Sequence, residues 1–417
     1  MFADPQLAAL IQEGLSNNSD LRIAKLHIDA AKAELRHAKG AFFPEVGISA
    51  EGEAKRLRSS ANKDGDDDDA DSGYTKQEDE FAFGPEISWE IDIFSKMRNA
   101  RKAAAATVEE KQWYAQAVQV ELIATIATSY YQLEMLDAQI TDTRAILESW
   151  EESIRVQKAL MAVGEATSDE VAQAEAGRLE AEKKLEELQL QVLQSEHALC
   201  AVLGRYSGHI VRSDFQTSMG QLNVVDSLPL RVLANRPDVR QAEAALKSAY
   251  YLTNVARAAF YPSLTIGGQV GFGYGAENDG TLTGLLTRVF GSLTMPVFAQ
   301  GRLKADLKKA KIEQEEAQIA FRQALLNASK EVNDILAGQH HARRTIALNE
   351  QQLDRLQHVL QVTETRMKYE SEVNFLQVLL ARQSLLEARL SLLDNRYALV
   401  ESVINLYRAL GGSIFNL

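Results

Sequence analysis

The octapeptide Ala41–Ile48, AFFPEVGI, returns 218 residues later as Ala259–Ile266, AFYPSLTI. The same offset of 218 lays Asp20-Leu21-Arg22 on Asp238-Val239-Arg240. Proline has no N–H and disfavours helix in the residue before it. Each copy therefore marks a junction where an Ala-rich helical pattern gives way to alternating, strand-like sequence. Two further blocks repeat: Ile93-Phe94 and Arg98 on Val297-Phe298 and Arg302 at an offset of 204, and Ala201–Gly204 on Arg408–Gly411 at an offset of 207. Self-similarity on this scale constrains the fold more than any local motif. The chain reads as a tandem duplication, each half running helix, strand, strand, long helix, helix. The first repeat is 1–204, with a β-hairpin over 42–94 and a long helical hairpin over 95–204. An irregular segment, 205–235, joins it to a second repeat, 236–417, with a hairpin over 260–298 and a helical hairpin over 300–411.

The strands alternate. Val46, Ile48 and Ala50 face away from Glu45, Glu51 and Glu53; Phe81, Phe83, Ile87, Trp89 and Ile91 face away from Glu86, Glu90 and Asp92. In the second half, Leu264, Ile266, Val270 and Phe272 lie opposite Thr265, Gln269 and a row of glycines, with Val289, Leu293 and Met295 on the return. Each hairpin thus has one apolar and one polar face. Residues 58–79, with six aspartates between Asp64 and Asp71, read as a solvated loop.

Residues 5–39 read as one amphipathic helix. No proline interrupts 95–162 or 300–368, so each of those stretches predicts a helix on the order of 100 Å long at ~1.5 Å per residue. Turns at Val163-Gly164-Glu165 and Tyr369-Glu370-Ser371 end them. Thr167 with Glu170, and Asn374 with Gln377, have capping-box spacing and start the shorter helices that follow. The N-terminal helix and the 168–203 helix, stacked end to end, match one long helix. The seam Ile346, Leu353, Leu356, Leu360, Met367 is narrow, as in a coiled coil.

Strands of this length exceed the ~9–11 residues a tilted membrane strand needs. An apolar face beside a carboxylate-bearing face suits lipid outside and water inside. Lipid tolerates no open sheet edge, so four strands need partners; three copies supply twelve strands and twelve helical rods. The competing arrangement is a soluble α+β protein, a helical scaffold with both ribbons packed on its own helices. The net charge of −13 disfavours nucleic acid. The lone cysteine, Cys200, sits in an apolar helical stretch and supports no internal disulfide. His340 and His341 point about 100° apart on a helix and do not share an ion. No nucleophile elbow, phosphate loop or metal motif occurs, so no catalytic residue, cofactor or metal is assigned and no enzyme is expected. No 18-residue apolar window occurs, and Met1–Pro5 lacks the character of a signal peptide.

The AFFP and AFYP junctions, LANRPDVRQAEAAL (233–246), VFAQGRLKADLKKA (297–310) and the terminal ALGG resemble the outer-membrane efflux protein family, the TolC-like factors of the multidrug and metal exporters. The resemblance covers the chain from Phe2 onward. It implies a homotrimer with a twelve-stranded β-barrel in the outer membrane and a periplasmic α-barrel. It also implies a non-enzymatic exit duct for drugs or small toxic compounds, served by a periplasmic adaptor and an inner-membrane transporter of the resistance-nodulation-division type. A duct for one-step (type I) protein secretion is the alternative within this class. Such proteins begin with a signal peptide and, in this branch, a lipid-modified cysteine, ahead of where this sequence starts. The resemblance places adaptor docking at the tips, Gly164, Glu165, Thr167, Ser168, Asp169 and Glu370, Ser371, Asn374. The aperture candidates are Asp169, Glu175, Leu380 and Arg382. Leu380 stands where relatives carry an aspartate. Glu51, Glu53, Glu86, Glu90 and Asp92 are the expected lumen carboxylates.

Overall fold

The computed structural model describes residues 4–58, 75–215, 234–274, 284–369 and 375–412. Its elements, in chain order, are α1 (Pro5–Asn17), α2 (Ser19–Gly40), β1 (Glu45–Arg58), β2 (Thr75–Ile91), α3 (Lys96–Ala162), α4 (Ser168–Val202), α5 (Pro237–Ala258), β3 (Ser263–Tyr274), β4 (Gly284–Thr294), α6 (Arg302–Tyr369) and α7 (Phe375–Ala409). The two long helices run 67 and 68 residues. The chain packs as two compact units, one of Met1–Ile28, Lys111–Ala242 and Phe321–Leu417, the other of Asp29–Glu110 and Glu243–Ala320.

Two sequence readings are corrected. The single helix expected over 5–39 is broken at Asn18, which is extended (φ −62°, ψ 128°). The cause is local: the Asn18 side chain accepts from the Leu21 N–H at 2.9 Å and so caps α2, competing with helix continuation. β2 begins at Thr75, inside the expected loop, and pairs with β1 as far as Arg58; residues 59–74 lie outside the described residues. The 205–235 segment is irregular over 205–214, as expected, but it is packed. Ile210 and Phe215 are fully buried in the core of the first unit, and 216–233 lie outside the described residues.

The start of α2, rather than the whole N-terminal helix, meets the end of α4 at a hydrogen-bonded joint, and a second such joint occurs between α5 and α7. Asn18, ahead of α2, donates through Nδ2 to the carbonyl of Val202, the last residue of α4, at 2.9 Å. Arg236, ahead of α5, donates through Nη1 to the carbonyl of Ala409, the last residue of α7, at 2.7 Å. Each joint closes on a glycine in the left-handed region, Gly204 (φ +73°) and Gly411 (φ +66°). A Cβ at Gly204 would lie 2.8 Å from the Asn17 carbonyl oxygen, and at Gly411 2.5 Å from Pro237 Cδ. Only glycine meets both demands.

In the first unit, one core gathers Leu7, Ile126, Tyr130, Leu133, Leu188, Leu199 and Ile404 around the buried Cys200. A second core lies further along the helices, where Ile146, Trp150 and Ile154 of α3 meet Ala174 and Ala181 of α4 and Val378 and Leu379 of α7. Leu360 and Met367, two of the predicted seam residues of α6, pack against it. In the second unit the four strands form one antiparallel sheet in the order β1-β2-β3-β4. Among the described residues, no helix is long and apolar enough to cross a membrane.

Candidate functional site

The register sorts most strand residues by face; on β4, Leu286 and Phe290 fall on the polar side, opposite Gly271 and Gly267, and Thr287 on the apolar side. Val46 lies opposite Ile87, Ala50 opposite Phe83, Trp89 opposite Ile266, Leu264 opposite Leu293 and Gly268 opposite Val289. This shared face is exposed: Ile48 is 76% and Val289 84% accessible. It is not covered by the chain's own helices, which removes the scaffold arrangement. The other face carries Glu86, Glu90, Ser49, Thr265, Gln269 and Ser292, with glycines at 47, 84, 267 and 271. That face is concave. Gln269 on β3 donates to Ser49 Oγ on β1 at 2.9 Å, across the intervening β2, although flat strands two apart are separated by about 9.6 Å. Glycine is required under the curl: a Cβ on Gly84 would sit 2.3 Å from the Val270 carbonyl oxygen, and one on Gly267 2.3 Å from Phe290 Cζ. Within one chain the outer edges of β1 and β4 pair with nothing among the described strands.

Of the expected lumen carboxylates, Glu86 and Glu90 lie on the concave face. Glu51 and Glu53 hold the corresponding register on β1, opposite Ala82 and Glu80. Two of the acids are ion-paired: Glu90 with Lys96 at 3.3 Å and Asp92 with Arg98 at 3.1 Å. Asp92 also accepts from the Met97 and Arg98 N–H groups and so caps α3. Sequence reasoning missed this second duty.

The other feature is the helical tip between α3 and α4. Gly164 (φ +81°) allows a Schellman turn, with Glu165 N–H bonded to the Leu160 carbonyl at 2.9 Å and Gly164 N–H to Met161 at 3.1 Å. The capping box is present: Glu170 N–H donates to Thr167 Oγ1 at 3.3 Å and Thr167 N–H to Glu170 Oε2 at 2.9 Å. Gly164, Glu165, Thr167, Ser168 and Asp169 are all exposed. Glu175 pairs with Lys158 at 2.7 Å, and the Lys158 hydrogen bond holds its carboxyl below the ordinary value. Glu370, Ser371 and Asn374 of the second tip lie outside the described residues.

Leu380 and Arg382 part company. Leu380 is 56% exposed between buried neighbours. Arg382 turns inward: it donates to the Ser149 carbonyl at 2.9 Å, to Ser153 Oγ and to Glu364 at 2.8 Å, tying α7 to α3 and α6. Two more ionic clasps bind the segments around Arg212 and Arg236 to the long helices. Arg212 holds Asp137 at 2.5 Å and Glu196 at 2.6 Å. Burial pushes the Glu196 carboxyl up, but hydrogen bonds from Arg212 and the Ile210 N–H outweigh it and leave the group below its ordinary value. Arg236 holds Asp238 at 2.8 Å and Glu331 at 2.7 Å.

A curled sheet with lipid-compatible residues outside and polar residues inside, carried on paired long helices, defines a mainly helical membrane-channel class of protein. The family model described as outer membrane efflux protein matches residues 10–205 and 228–412. The chain belongs to that family and is an outer-membrane protein. Its two matched segments start 218 residues apart, the spacing of the AFFP and AFYP junctions. The probable efflux pump outer membrane protein TtgC of Pseudomonas putida is 29% identical over 432 residues, 99% of this chain and 84% of that protein. The probable outer membrane lipoprotein SilC of Salmonella typhimurium is 29% identical over 426 residues, covering 99% and 87%. A crystal structure of CusC superposes with a TM-score of 0.85 at 27% identity, over 98% of this chain and 92% of that one.

Proposed function

We propose that three copies close into a twelve-stranded barrel in the outer membrane, continued by a periplasmic barrel of helices. The assembly is the exit duct of a tripartite efflux pump. The observation that carries this is the sheet: one exposed apolar face, one concave polar face and two open edges. An open edge cannot stand in hydrocarbon, and membrane barrels begin at about eight strands. Four strands per chain therefore demand partners, and the tandem halves supply one ribbon each. The duct conducts passively, its cargo drugs or other small toxic compounds. Energy comes from an inner-membrane transporter of the resistance-nodulation-division type, through an adaptor that docks on the tips around Gly164–Asp169 and Glu370–Asn374. Leu380, exposed where relatives carry an acid, makes the aperture apolar, and Arg382 holds the helix behind it.

Detergent-purified protein is expected to have the mass of three chains and to conduct ions across a planar bilayer. A monodisperse soluble monomer without conductance overturns the reading.

A further inference from the structure

All four helix–strand junctions lie at one end of the sheet, since Glu45 pairs with Ser88, Ile91 with Leu264 and Ser263 with Thr294. At that end an apolar, aromatic band is exposed: Phe43, Phe94, Tyr261, Val297 and Phe298. Trp89 donates its indole N–H to the Phe42 carbonyl at 3.1 Å, and Phe94 stacks on Tyr261 at 4.8 Å. Aromatic rings with polar handles mark the boundary between lipid and water.

Immediately past the band the charge turns positive, in a chain of net −13. From Lys96 to Val108, α3 carries four cations and no acid, and its first acids are Glu109 and Glu110; from Arg302 to Lys311, α6 carries five cations and only Asp306, before Glu313, Glu315 and Glu316. Lys39, Arg101, Lys102, Arg302, Lys304 and Lys308 are exposed. Arg101 lies over the Phe42 ring at 5.4 Å and Lys102 over Tyr251 at 5.5 Å, so these two start within the aromatic band. Among the described residues, Lys39, Arg302, Lys304 and Lys308 have no carboxylate partner. The basic stretch of α6 is on the order of 14 Å long, under two screening lengths at physiological salt.

Helix stability does not account for this. A helix N-terminus favours acids and disfavours cations, yet neither α3 nor α6 has an acid in its first turn, and both begin on cations. Cations at the C-terminal end of α2 suit the dipole; those at the starts of α3 and α6 oppose it. In α3 the first two cations answer to Glu90 and Asp92 of the same chain; Arg302, Lys304 and Lys308 of α6, placed against their own helix beside an aromatic belt, have no such carboxylate among the described residues and are left for a partner outside the chain.

We infer that this collar binds the headgroups of anionic glycerophospholipids in the membrane leaflet on the helix side of the sheet. The inference rests on the barrel reading above, because it needs the sheet in a membrane. Each juxtamembrane cation strengthens the attraction to an anionic lipid surface by roughly fivefold.

The test uses the full chain in lipid nanodiscs of phosphatidylethanolamine with either phosphatidylglycerol or phosphatidylcholine, with retained lipid counted by native mass spectrometry. The intact protein should enrich phosphatidylglycerol, and the enrichment should fall as salt rises. The combined variant Arg302→Gln, Lys304→Gln, Lys308→Gln should lose that enrichment at least about tenfold, while keeping its oligomeric mass and bilayer conductance. A control with the same charge change elsewhere, Lys183→Gln, Arg344→Gln, Arg355→Gln, should retain it. Equal enrichment in both variants, no salt dependence in the unaltered protein, or loss of the oligomer in the collar variant alone would overturn the inference; the last outcome would mean that the cations face a neighbouring copy. Conductance without lipid preference refutes the collar and spares the duct; absence of conductance in the unaltered protein refutes the duct.

Discussion

Arg236 and Asn18 occupy equivalent places in the two repeats, 218 residues apart, and donate to equivalent carbonyls. The two joints share the bond and differ in the donor. The guanidinium also holds Asp238 and Glu331, so removing it strands a partly buried acid. Arg236→Ala should cost about 1–3 kcal/mol, chiefly from the charged hydrogen bonds it makes and the Ala409 carbonyl left unpaired, read as a drop in the urea midpoint. At Gly177 the argument is steric. A Cβ there would lie 2.7 Å from the buried Trp150 ring. Gly177→Ala should destabilise the tip hairpin by about 1–3 kcal/mol, seen as faster amide exchange over 150–180. Glu196 gives a pH dependence. Its folded-state value lies below the ordinary one, so its contribution is present above the ordinary glutamate range and disappears as pH falls through the lowered value. Pepsin should therefore spare the 208–215 segment near pH 5 and begin cutting it only in stronger acid, whereas Glu196→Gln is cut throughout the range.

Among elements, what the sequence made legible was set by periodicity. Alternation over Val46–Ala50 and Phe83–Ile91 disclosed both faces of the sheet, because one residue of slip would put every side chain on the wrong side. Long proline-free runs disclosed α3 and α6, and the capping residues their turn. Other features depend on partners remote in sequence. The inward turn of Arg382 depends on Ser149 and Ser153 of another helix, and nothing near residue 382 signals it. The break at Asn18 was hidden because a helical pattern resumes at once on the far side. Asp92 read as a lumen charge, but its neighbours in space are the first N–H groups of α3. The two faces make opposite predictions. Phe83→Arg, on the exposed apolar face and six residues from the belt at Trp89, should cost about 2–4 kcal/mol, measured by reversible unfolding from lipid vesicles. Glu86→Lys, on the concave face, should leave stability nearly unchanged and shift the reversal potential of the channel toward anions.

At the level of the whole molecule, fold and family agree over nearly the full chain. The long helices expose isolated apolar residues such as Ile312, Ile319 and Leu326 at steps of seven, the spacing by which helices pack sideways on similar helices. A single copy leaves such stripes wet and its ribbon edges open. The unpaired rims of β1 and β4 have a further consequence for how this protein comes to exist. A solitary newcomer suits neither available solvent: water rejects its greasy outer surface, and oil rejects its bare amide borders. On the proposed three-copy barrel, entry into the bilayer coincides with meeting its siblings, so biogenesis should be steeply sensitive to dosage, with halved synthesis yielding far less than half the finished pores.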